Sequence, residues 1–408
     1  MSEPTFDPFN VTSVEDRHAV TAELRRACPV SKTTFGAWFI ADRSGVEQAL
    51  RDVYAFTGSF GRQGPDDDVP EERRLIASIP EPRHGELRRI MNGVLAPHKV
   101  AQAEEFVRSL CAERLAHVLD LVRRAPDTPV DMVAAFADVV PATVIAHVLG
   151  IPTEDHERFR DWTDSLLHDM DARARADEAV SDPTASSPEF MSYLDEQIAE
   201  RIRIRDSGKD PGDDIIARYL NKEVGGELLS PIAIRSQLVM LVIAGNETTR
   251  NLIGNMIHRL ALEPVLLAGL RADPSLIPAM VEESLRRDTP VQLLARTCTN
   301  ETTIDGVQVE PGDRIVIGVA SANRDERYFP EPNVFRVDRQ NPRDHVAFGT
   351  GPHVCPGAAL ARLEGAIALE ELLLRVERLR LPDPEAFDAN PVFWAHGPRR
   401  LPVFVTPA

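Results

Sequence analysis

The chain has 408 residues, of which 43% are hydrophobic, and it carries a formal net charge of −18. This acidic balance argues against general binding to nucleic acid or to anionic membranes, because the long-range field of the protein repels polyanions. No break in composition divides the sequence, and we expect one large domain over residues 1–408.

The cysteine content and the first residues predict the cellular compartment. Four dispersed cysteines in so long a chain do not make a disulfide framework. The start, MSEPTFDPFN, has neither the basic region nor the apolar region of a secretory leader. The longest central apolar run, 238–244, is far shorter than the roughly 20 residues that span a membrane. We therefore expect a cytoplasmic protein without a membrane anchor.

The first half of the sequence predicts mainly helices. An aromatic-rich strand at 34–41 leads into a helical stretch through Tyr54. A glycine- and aspartate-rich loop with Gly58, Gly61 and Gly64 follows, and we expect it to be mobile. Helical periodicity returns over 84–95, 100–124, 131–149 and 153–170. A polar stretch at 171–188 predicts either a flexible lid between two helices or an ordinary surface loop.

The second half holds the longest predicted helix and the clearest strand signals. Ser230 is a good N-cap and Pro231 suits the first turn, so we expect a helix from there to the neighbourhood of Pro264, about 50 Å long. The run at 302–309 contains an Asp-Gly hairpin turn, and 314–319 is rich in β-branched residues. The chain as a whole is predicted to be mainly α with small β-sheets.

The residues around Cys355 carry the most information. The decapeptide 348–357, FGTGPHVCPG, ends at an alanine-rich helical stretch, whose N-terminal dipole and unpaired N–H groups favour a thiolate at the cysteine. Gly349 and Gly351 allow the loop to fold tightly and to aim backbone N–H groups at the sulfur. Phe348 would pack beside a flat cofactor. We interpret this segment as a loop that binds haem iron through a cysteine thiolate.

Three other interpretations of this loop are weaker. A phosphate-binding loop would need a third glycine or a Gly-Lys-Ser/Thr ending. A zinc site would need further ligands, but Cys28, Cys111 and Cys298 are isolated rather than paired. A cysteine nucleophile beside His353 would require residues two apart on a loop to meet in hydrogen-bond geometry.

Polar residues interrupt the apolar run of the long helix at 244–249, AGNETT. Gly245 weakens the helix, and Thr248 can bond back to a carbonyl one turn earlier, which predicts a local widening that opens a groove for dioxygen. Glu247 and Thr248 would then form an acid and hydroxyl relay that brings protons from solvent. Taken alone, the pattern is explained at least as well by a capped turn; beside a haem loop, the relay is favoured.

Two further sets of charged residues fit a haem site at the Cys355 loop. Glu283 and Arg286 share one helix face and predict a charge-assisted pair that anchors the segment leading to the Cys355 loop. Arg336 and Arg339 are the candidates for the third partner of this pair. Haem propionates need cations, and each candidate by itself would be read as a solvated surface charge. The candidates are His84, Arg88, Arg296 and His353.

Taken together, FGTGPHVCPG, the pair of Glu283 and Arg286, and AGNETT, in this order and spacing, resemble the cytochrome P450 superfamily of haem-thiolate monooxygenases, of the soluble bacterial type. The likeness covers nearly the whole chain. It implies a triangular, mainly helical fold with small β-sheets, in which haem b lies between the long central helix and the helix that bears the cysteine. By the same resemblance Cys355 matches the axial iron ligand.

The resemblance implies roles for further residues. Glu247 and Thr248 match the acid and alcohol pair that delivers protons; aspartate is also common at the acid position, and glutamate reaches one methylene further. The implied cofactor-binding residues are His84, Arg88, Arg296, Phe348, Gly349, His353, Cys355 and Gly357. The implied residues of the substrate pocket are Met240, Ile243, Ala244, Leu293, Leu294, Phe393 and Trp394, each of which core packing would explain equally well.

The implied reaction inserts one oxygen atom of O2 into a hydrophobic small molecule, such as a terpenoid, steroid, fatty acyl chain or aromatic compound. Electrons would come from NAD(P)H through a reductase and a ferredoxin, because the sequence has no flavin or iron–sulfur motif. The ferredoxin would dock near Cys355, against Arg88, Arg89 and Arg362, and we expect a monomer. Two alternatives stay open. One is a haem-thiolate enzyme without net monooxygenation, driven by peroxide or performing coupling or isomerisation; the other is a non-catalytic haem-binding sensor.

Overall fold

Helices and short strands alternate along the chain in a computed structural model, which describes residues 5–9, 14–58, 69–175 and 187–408. Gly61 and Gly64 of the predicted mobile loop, and most of the predicted lid at 171–188, lie outside these residues. Among the described helices, none is both long and apolar enough to cross a membrane.

The helices bury their apolar faces against one another in one large cluster. In chain order they are α1 (Val14–Ala27), α2 (Arg43–Arg51), α3 (Arg83–Leu95), α4 (Pro97–Val100), α5 (Glu104–Arg124), α6 (Val139–Leu149), α7 (His156–Arg175), α8 (Pro188–Asp206), α9 (Ile215–Leu220), α10 (Pro231–Leu262), α11 (Pro264–Ala272), α12 (Ile277–Arg287), α13 (Val319–Ala322) and α14 (Ala358–Arg375).

The strands are short and form sheets at the edge of the helical part. They are β1 (Val30–Lys32), β2 (Trp38–Ile40), β3 (Phe56–Thr57), β4 (Val130–Asp131), β5 (Glu223–Val224), β6 (Glu227–Leu228), β7 (Leu293–Cys298), β8 (Thr302–Ile304), β9 (Val307–Val309), β10 (Arg314–Gly318), β11 (Val376–Arg380) and β12 (Pro402–Pro407). Within the described residues, β1-β2-β10-β7-β3 form a mixed sheet with a parallel β2–β10 pair, and β11-β12-β4 form an antiparallel one.

The predicted elements of the first half are present but differ at their ends. The strand predicted at 34–41 is confined to β2, because the backbone turns before it, with the N–H of Gly36 donating to the carbonyl of Thr33. Helix α2 ends at Arg51, so the predicted helical stretch through Tyr54 is too long. The helix predicted at 131–149 is divided into β4, a π-helical turn (Val133–Ala137) and α6.

The long helix α10 has the predicted start and nearly the predicted end. The Ser230 side chain caps it by accepting from the N–H of Ala233, and its 32 residues span about 48 Å. The local widening expected at Gly245 is absent, since α10 is α-helical over its whole length. Gly245 is explained by packing instead: a Cβ there would lie 3.1 Å from the Ile145 side chain of α6.

The last third of the chain holds strands β7 to β12 and the Cys355 loop. The predicted Asp-Gly turn joins β8 and β9, with positive φ at both Asp305 and Gly306. Helix α14 follows the loop and packs against α5, α10 and α12. The cysteine therefore lies at the N-terminal end of a helix that is buried between others.

Candidate active site

Cys355 lies between a 3-10 turn (Gly351–His353) and the first turn of α14. Its own N–H donates to the carbonyl of Phe348 over 2.8 Å. Burial raises the pKa of the Cys355 thiol, and the N–H groups of Gly357 and Ala358 and the charges of Arg88 and Arg362 oppose this without outweighing it. The helix N-terminus thus favours a thiolate as predicted, but full ionisation requires a further positive charge at the sulfur, such as a metal ion.

The glycines of the loop allow it to fold tightly. The N–H groups of Gly357 and Ala358 point at the sulfur, while the N–H of Gly349 donates to the carbonyl of Val346. Gly351 has a φ of +74°, and a Cβ there would lie 2.9 Å from the Cα of Arg51 in α2. The glycine therefore serves the close packing of the loop on α2.

The structure brings together the four residues predicted for carboxylate binding. The rings of His84 on α3 and His353 lie 4.0 Å apart, and Glu81 contacts Nδ1 of His84 over 2.8 Å. Burial, followed by the charges of His84, Arg296 and Arg88, lowers the pKa of His353 to about 3.

Arg296 and Arg88 use only backbone carbonyls in this cluster. Arg296 on β7 is nearly fully buried, and its guanidinium donates to the carbonyl of Ala295 over 2.8 Å; burial lowers its pKa to about 10. Arg88 donates to the carbonyl of Val354. Glu81 is thus the acid that contacts this group of cations in the described part of the chain, and the group is suited to a ligand with two carboxylates.

On α10 the predicted relay residues take up different environments. The Thr248 hydroxyl donates to the carbonyl of Ala244 over 2.9 Å, as predicted. Ala244 is exposed and Thr248 half-buried although they lie in the middle of a buried helix, so this face of α10 borders a space open to solvent. Glu247 is buried, and its carboxylate accepts from Arg250 and Asn251, each over 3.0 Å, and from Asn390.

The predicted pocket residues fall into two groups. Met240, Ile243 and Ala244 lie on one stretch of α10. Leu293 and Leu294 open β7, where the N–H groups of Gln292 and Leu293 donate to the carbonyl of Trp394 over 2.7 and 3.4 Å. Phe393 and Trp394 pack against a small apolar cluster with Phe6, Phe39 and Leu293.

The predicted pair of Glu283 and Arg286 is fully buried and bidentate, with distances of 2.7 and 2.8 Å. The structure identifies Arg339 as the third partner, because its Nε lies 3.0 Å from both carboxylate oxygens of Glu283. Arg336 contributes only its backbone N–H, while its guanidinium pairs with Asp338 and Glu331 at the surface.

Sequence reasoning missed the partner of Arg362. Its guanidinium donates to Glu282 over 2.6 and 3.0 Å and lies 4.6 Å from the centre of the Phe348 ring. Burial raises the pKa of Glu282, but hydrogen bonds from His345 and Arg362 bring it down to about 2. Arg362, predicted as a docking cation, is therefore largely occupied by this internal ion pair, whereas Arg89 is exposed.

A second carboxyl group that the motifs did not include lies on the cysteine helix. Glu364 is buried on α14, and its Oε2 has no hydrogen-bond partner among the described residues. Burial raises its pKa to about 8. A glutamate flanked by apolar residues in a helix, as in AALARLEGAIALEE, was the available sequence signal.

The variant Glu364→Gln is expected to be more stable than the wild type at pH 8 and about equally stable at pH 5. Between pH 4.5 and 8 the unfolded carboxyl is ionised while the folded one keeps its proton, so the stability of the wild type falls as pH rises. The neutral amide removes this loss, which amounts to roughly 1.4 kcal/mol per pKa unit at most. Urea denaturation of both proteins at several pH values measures it, and a difference independent of pH would contradict the assignment.

Comparison with known proteins extends these observations. Residues 37–396 match the family described as Cytochrome P450. Erythromycin C-12 hydroxylase of Saccharopolyspora erythraea is 32% identical over 359 residues, which cover 87% of this chain and 86% of that protein. The structure of CYP109Q5 from Chondromyces apiculatus matches with a TM-score of 0.84 and 31% identity over 99% of both chains. That of CYP109E1 from Bacillus megaterium in complex with testosterone matches with a TM-score of 0.79 and 29% identity, covering 98% and 99% of the two chains.

Proposed function

This chain belongs to the cytochrome P450 family, and on that premise we propose that Cys355 is the axial ligand of its haem b and that it hydroxylates a hydrophobic small molecule. The protein is a P450 monooxygenase, and the proteins of this family bind haem b through a cysteine thiolate. One observation carries the assignment of Cys355. Arg88 and Arg296 lie with His84 and His353 beside its loop, and Glu81 is the acid that contacts this group among the described residues.

The residues of this site fit haem b. Its two propionates would bind the cation cluster, where Arg296 lacks an acidic partner among the described residues although it is nearly fully buried. Its iron would supply the positive charge that the buried Cys355 thiol needs to ionise. The N–H groups of Gly357 and Ala358 would stabilise the thiolate and tune its electron donation.

When bound, haem supplies the reductive activation of dioxygen. The residues of this chain would bind and orient the substrate, and they would deliver protons to the site. Thr248 donates its hydroxyl proton to the carbonyl of Ala244 in a hydrogen bond, which leaves the lone pairs of Oγ1 free to accept a hydrogen bond. Glu247 is the acid next to it and would replace the proton that Thr248 passes on. Apolar side chains such as Ile243 and Leu293 would keep water away from the reacting carbon.

The proposed substrate is an apolar compound of the terpenoid, steroid, fatty-acyl or aromatic type. The side chains proposed to line the pocket support this class, because they are apolar on both α10 and β7. Two relatives agree with it in part: one is named for the hydroxylation of erythromycin, and the other was solved with testosterone.

We propose that electrons reach the protein from NAD(P)H through a ferredoxin reductase and a ferredoxin, and that it works as a cytoplasmic monomer. The ferredoxin would dock on the face near Cys355, where Arg89 is exposed and Arg88 half-buried. Since Arg362 is paired with Glu282, its contribution to docking would be smaller than that of Arg89.

The variant Thr248→Ala is expected to divert electrons from product to hydrogen peroxide. Removal of the hydroxyl takes away the last proton carrier of the relay, and positioned acid–base groups contribute roughly 100- to 10,000-fold to such steps. The measurement is the amount of product and of peroxide formed per NAD(P)H consumed. The control variant Thr248→Ser keeps the hydroxyl and should couple nearly as well as the wild type. Equal coupling in the alanine variant would refute the relay.

A further inference from the structure

A segment near the C-terminus, residues 389–398, folds back on the middle of α10; we call it the C-terminal loop. Its two ends are closed by a β-bridge between Ala389 and Pro398 and by the N–H of Asn390, which donates to the carbonyl of Gly397 over 2.8 Å. These two contacts fix the ends of the C-terminal loop against each other.

The base of the C-terminal loop is fitted closely to α10. A Cβ on Gly397 would lie within 2.5 Å of the Asn251 side-chain carbon Cγ, and a Cβ on Gly254 would lie 2.8 Å from Pro398. Asn255 donates to the carbonyl of His396 over 3.1 Å. The C-terminal loop therefore packs closely against this stretch of α10, and we expect a displacement of the loop to displace the side chains of α10 that contact it.

The side-chain amide of Asn390 is oriented by bonds at both ends. Its Oδ1 accepts from the N–H of Val392 over 3.1 Å, so its Nδ2 must be the atom that donates to Oε1 of Glu247. Asn251 donates to the same oxygen over 3.0 Å, and Arg250 donates to Oε2. Three donors thus hold the Glu247 carboxylate, and the Thr248 hydroxyl is directed to Ala244 instead.

The other charged groups described near Glu247 contact Arg250 or each other rather than the Glu247 carboxylate. Arg250 also lies 3.4 Å from Asp138, which precedes α6, and Asp138 lies 3.9 Å from Arg160 on α7. Burial raises the pKa of Asp138, while both arginines lower it. Of the groups that contact the Glu247 carboxylate, Asn390 is the one that the C-terminal loop contributes.

The middle of the C-terminal loop, away from its joined ends, contains Phe393 and Trp394, two proposed pocket residues. The Trp394 carbonyl accepts from the N–H groups that start β7, and the N–H of Ala395 donates to the carbonyl of Val392 over 3.1 Å. One short closed loop therefore joins the pocket wall to the proposed proton donor.

We propose that Asn390 is a positioning residue that holds Glu247 withdrawn from Thr248, and that the C-terminal loop releases Glu247 when the pocket side of the loop moves. The proposal rests on the proposed role of Glu247 in proton delivery. Loss of one hydrogen bond to a charged group shifts an equilibrium by roughly ten- to a hundredfold, which is enough to change the population of the withdrawn position.

The first experiment measures hydrogen peroxide formed under air by haem-loaded, substrate-free protein that is reduced photochemically. Asn390→Ala is expected to form peroxide at least several-fold faster than the wild type, because Glu247 is released without a substrate. Asn390→Asp should match the alanine variant at pH 8 and approach the wild type towards pH 5, where its carboxyl regains a donating proton. Asn341→Ala, which loses an exposed side-chain amide far along the chain, is the matched control.

The results of this experiment distinguish an error in the role of Asn390 from an error in the role of Glu247. An unchanged or lower rate in Asn390→Ala, or an Asn390→Asp profile without pH dependence, overturns the positioning role. If Glu247→Gln leaves the rate of the wild type and of Asn390→Ala unchanged, the proposed function of Glu247 fails instead. Circular dichroism of every variant serves as the control for correct folding.

The second experiment tests the coupling to the pocket side without relying on activity. In protein labelled with [15N]asparagine, the side-chain resonance of Asn390 is assigned from its loss in Asn390→Ala. Trp394→Phe and Trp394→Ala are expected to shift this resonance and to raise the peroxide rate, and the rate effect should vanish in the Asn390→Ala background. An unmoved resonance, or additive effects on the rate, would overturn the coupling.

Discussion

Replacement of Cys355 by alanine is expected to abolish the strongly red-shifted Soret band that the reduced wild-type protein gives with carbon monoxide. The band position reports electron donation from a thiolate to the haem, and the described site offers one sulfur at the head of α14 beside the cation cluster. The measurement is the absorption spectrum of haem-supplied protein, reduced under carbon monoxide. Cys355→His should move the band to the position typical of histidine-ligated haem.

The other buried cysteines provide matched controls for this experiment. Cys111 lies within α5 and Cys298 ends β7, so neither has the helix N-terminus that faces the sulfur of Cys355. Cys111→Ala and Cys298→Ala should therefore keep the red-shifted band. A wild-type protein that is folded and supplied with haem but shows no such band would disprove the assignment of Cys355. A band that survives in Cys355→Ala would do the same.

Arg339→Met is expected to destabilise the protein by roughly 1–3 kcal/mol, because the buried Glu283 carboxylate stays paired with Arg286 but loses the hydrogen bonds that Arg339 donates. Arg339 is 5% exposed, and it contacts Glu283 through Nε and the carbonyls of Pro330, Glu331 and Val334 through its other nitrogens. Glu283 itself is 1% exposed, so water cannot replace the lost contacts. The free energy of unfolding in urea measures the effect.

Arg336→Met is the matched control, three positions away in the same segment. The Arg336 guanidinium pairs with Asp338 and Glu331 in contact with solvent, and exposed pairs contribute little. The backbone N–H that Arg336 donates to Glu283 is kept in the variant. We therefore expect a nearly unchanged free energy of unfolding, and equal losses in the two variants would contradict the assignment of Arg339 as the third partner.

Contacts between residues close in sequence were predictable. The bond from Thr248 to Ala244 and the pair of Glu283 and Arg286 each join residues within one turn of a helix, so helical spacing alone brings them together. The same holds for the turn at Asp305 and Gly306. The family, the mainly helical fold with small sheets and the monooxygenase activity were predicted from such local motifs and are confirmed.

Contacts between distant residues were not predictable. Nothing near Arg339 or Arg336 distinguishes them, and only the packing of their segment on α12 buries one guanidinium and exposes the other. The ion pair of Arg362 with Glu282 spans 80 residues and changes a predicted docking cation into an internal partner. Likewise, Asn390 reaches Glu247 from 143 residues away.

Local patterns were enough to predict the helices, the cysteine loop and the chemical types of the side chains, because these depend on neighbours along the chain. How strongly each group is desolvated, and which distant group neutralises it, follows from the packing of segments that are far apart in sequence. The pKa of the Cys355 thiol is raised despite its helix N-terminus, and Glu364 keeps a proton near neutral pH, because burial outweighs the local effects. Desolvation depends on everything that packs around a group, which no local pattern records.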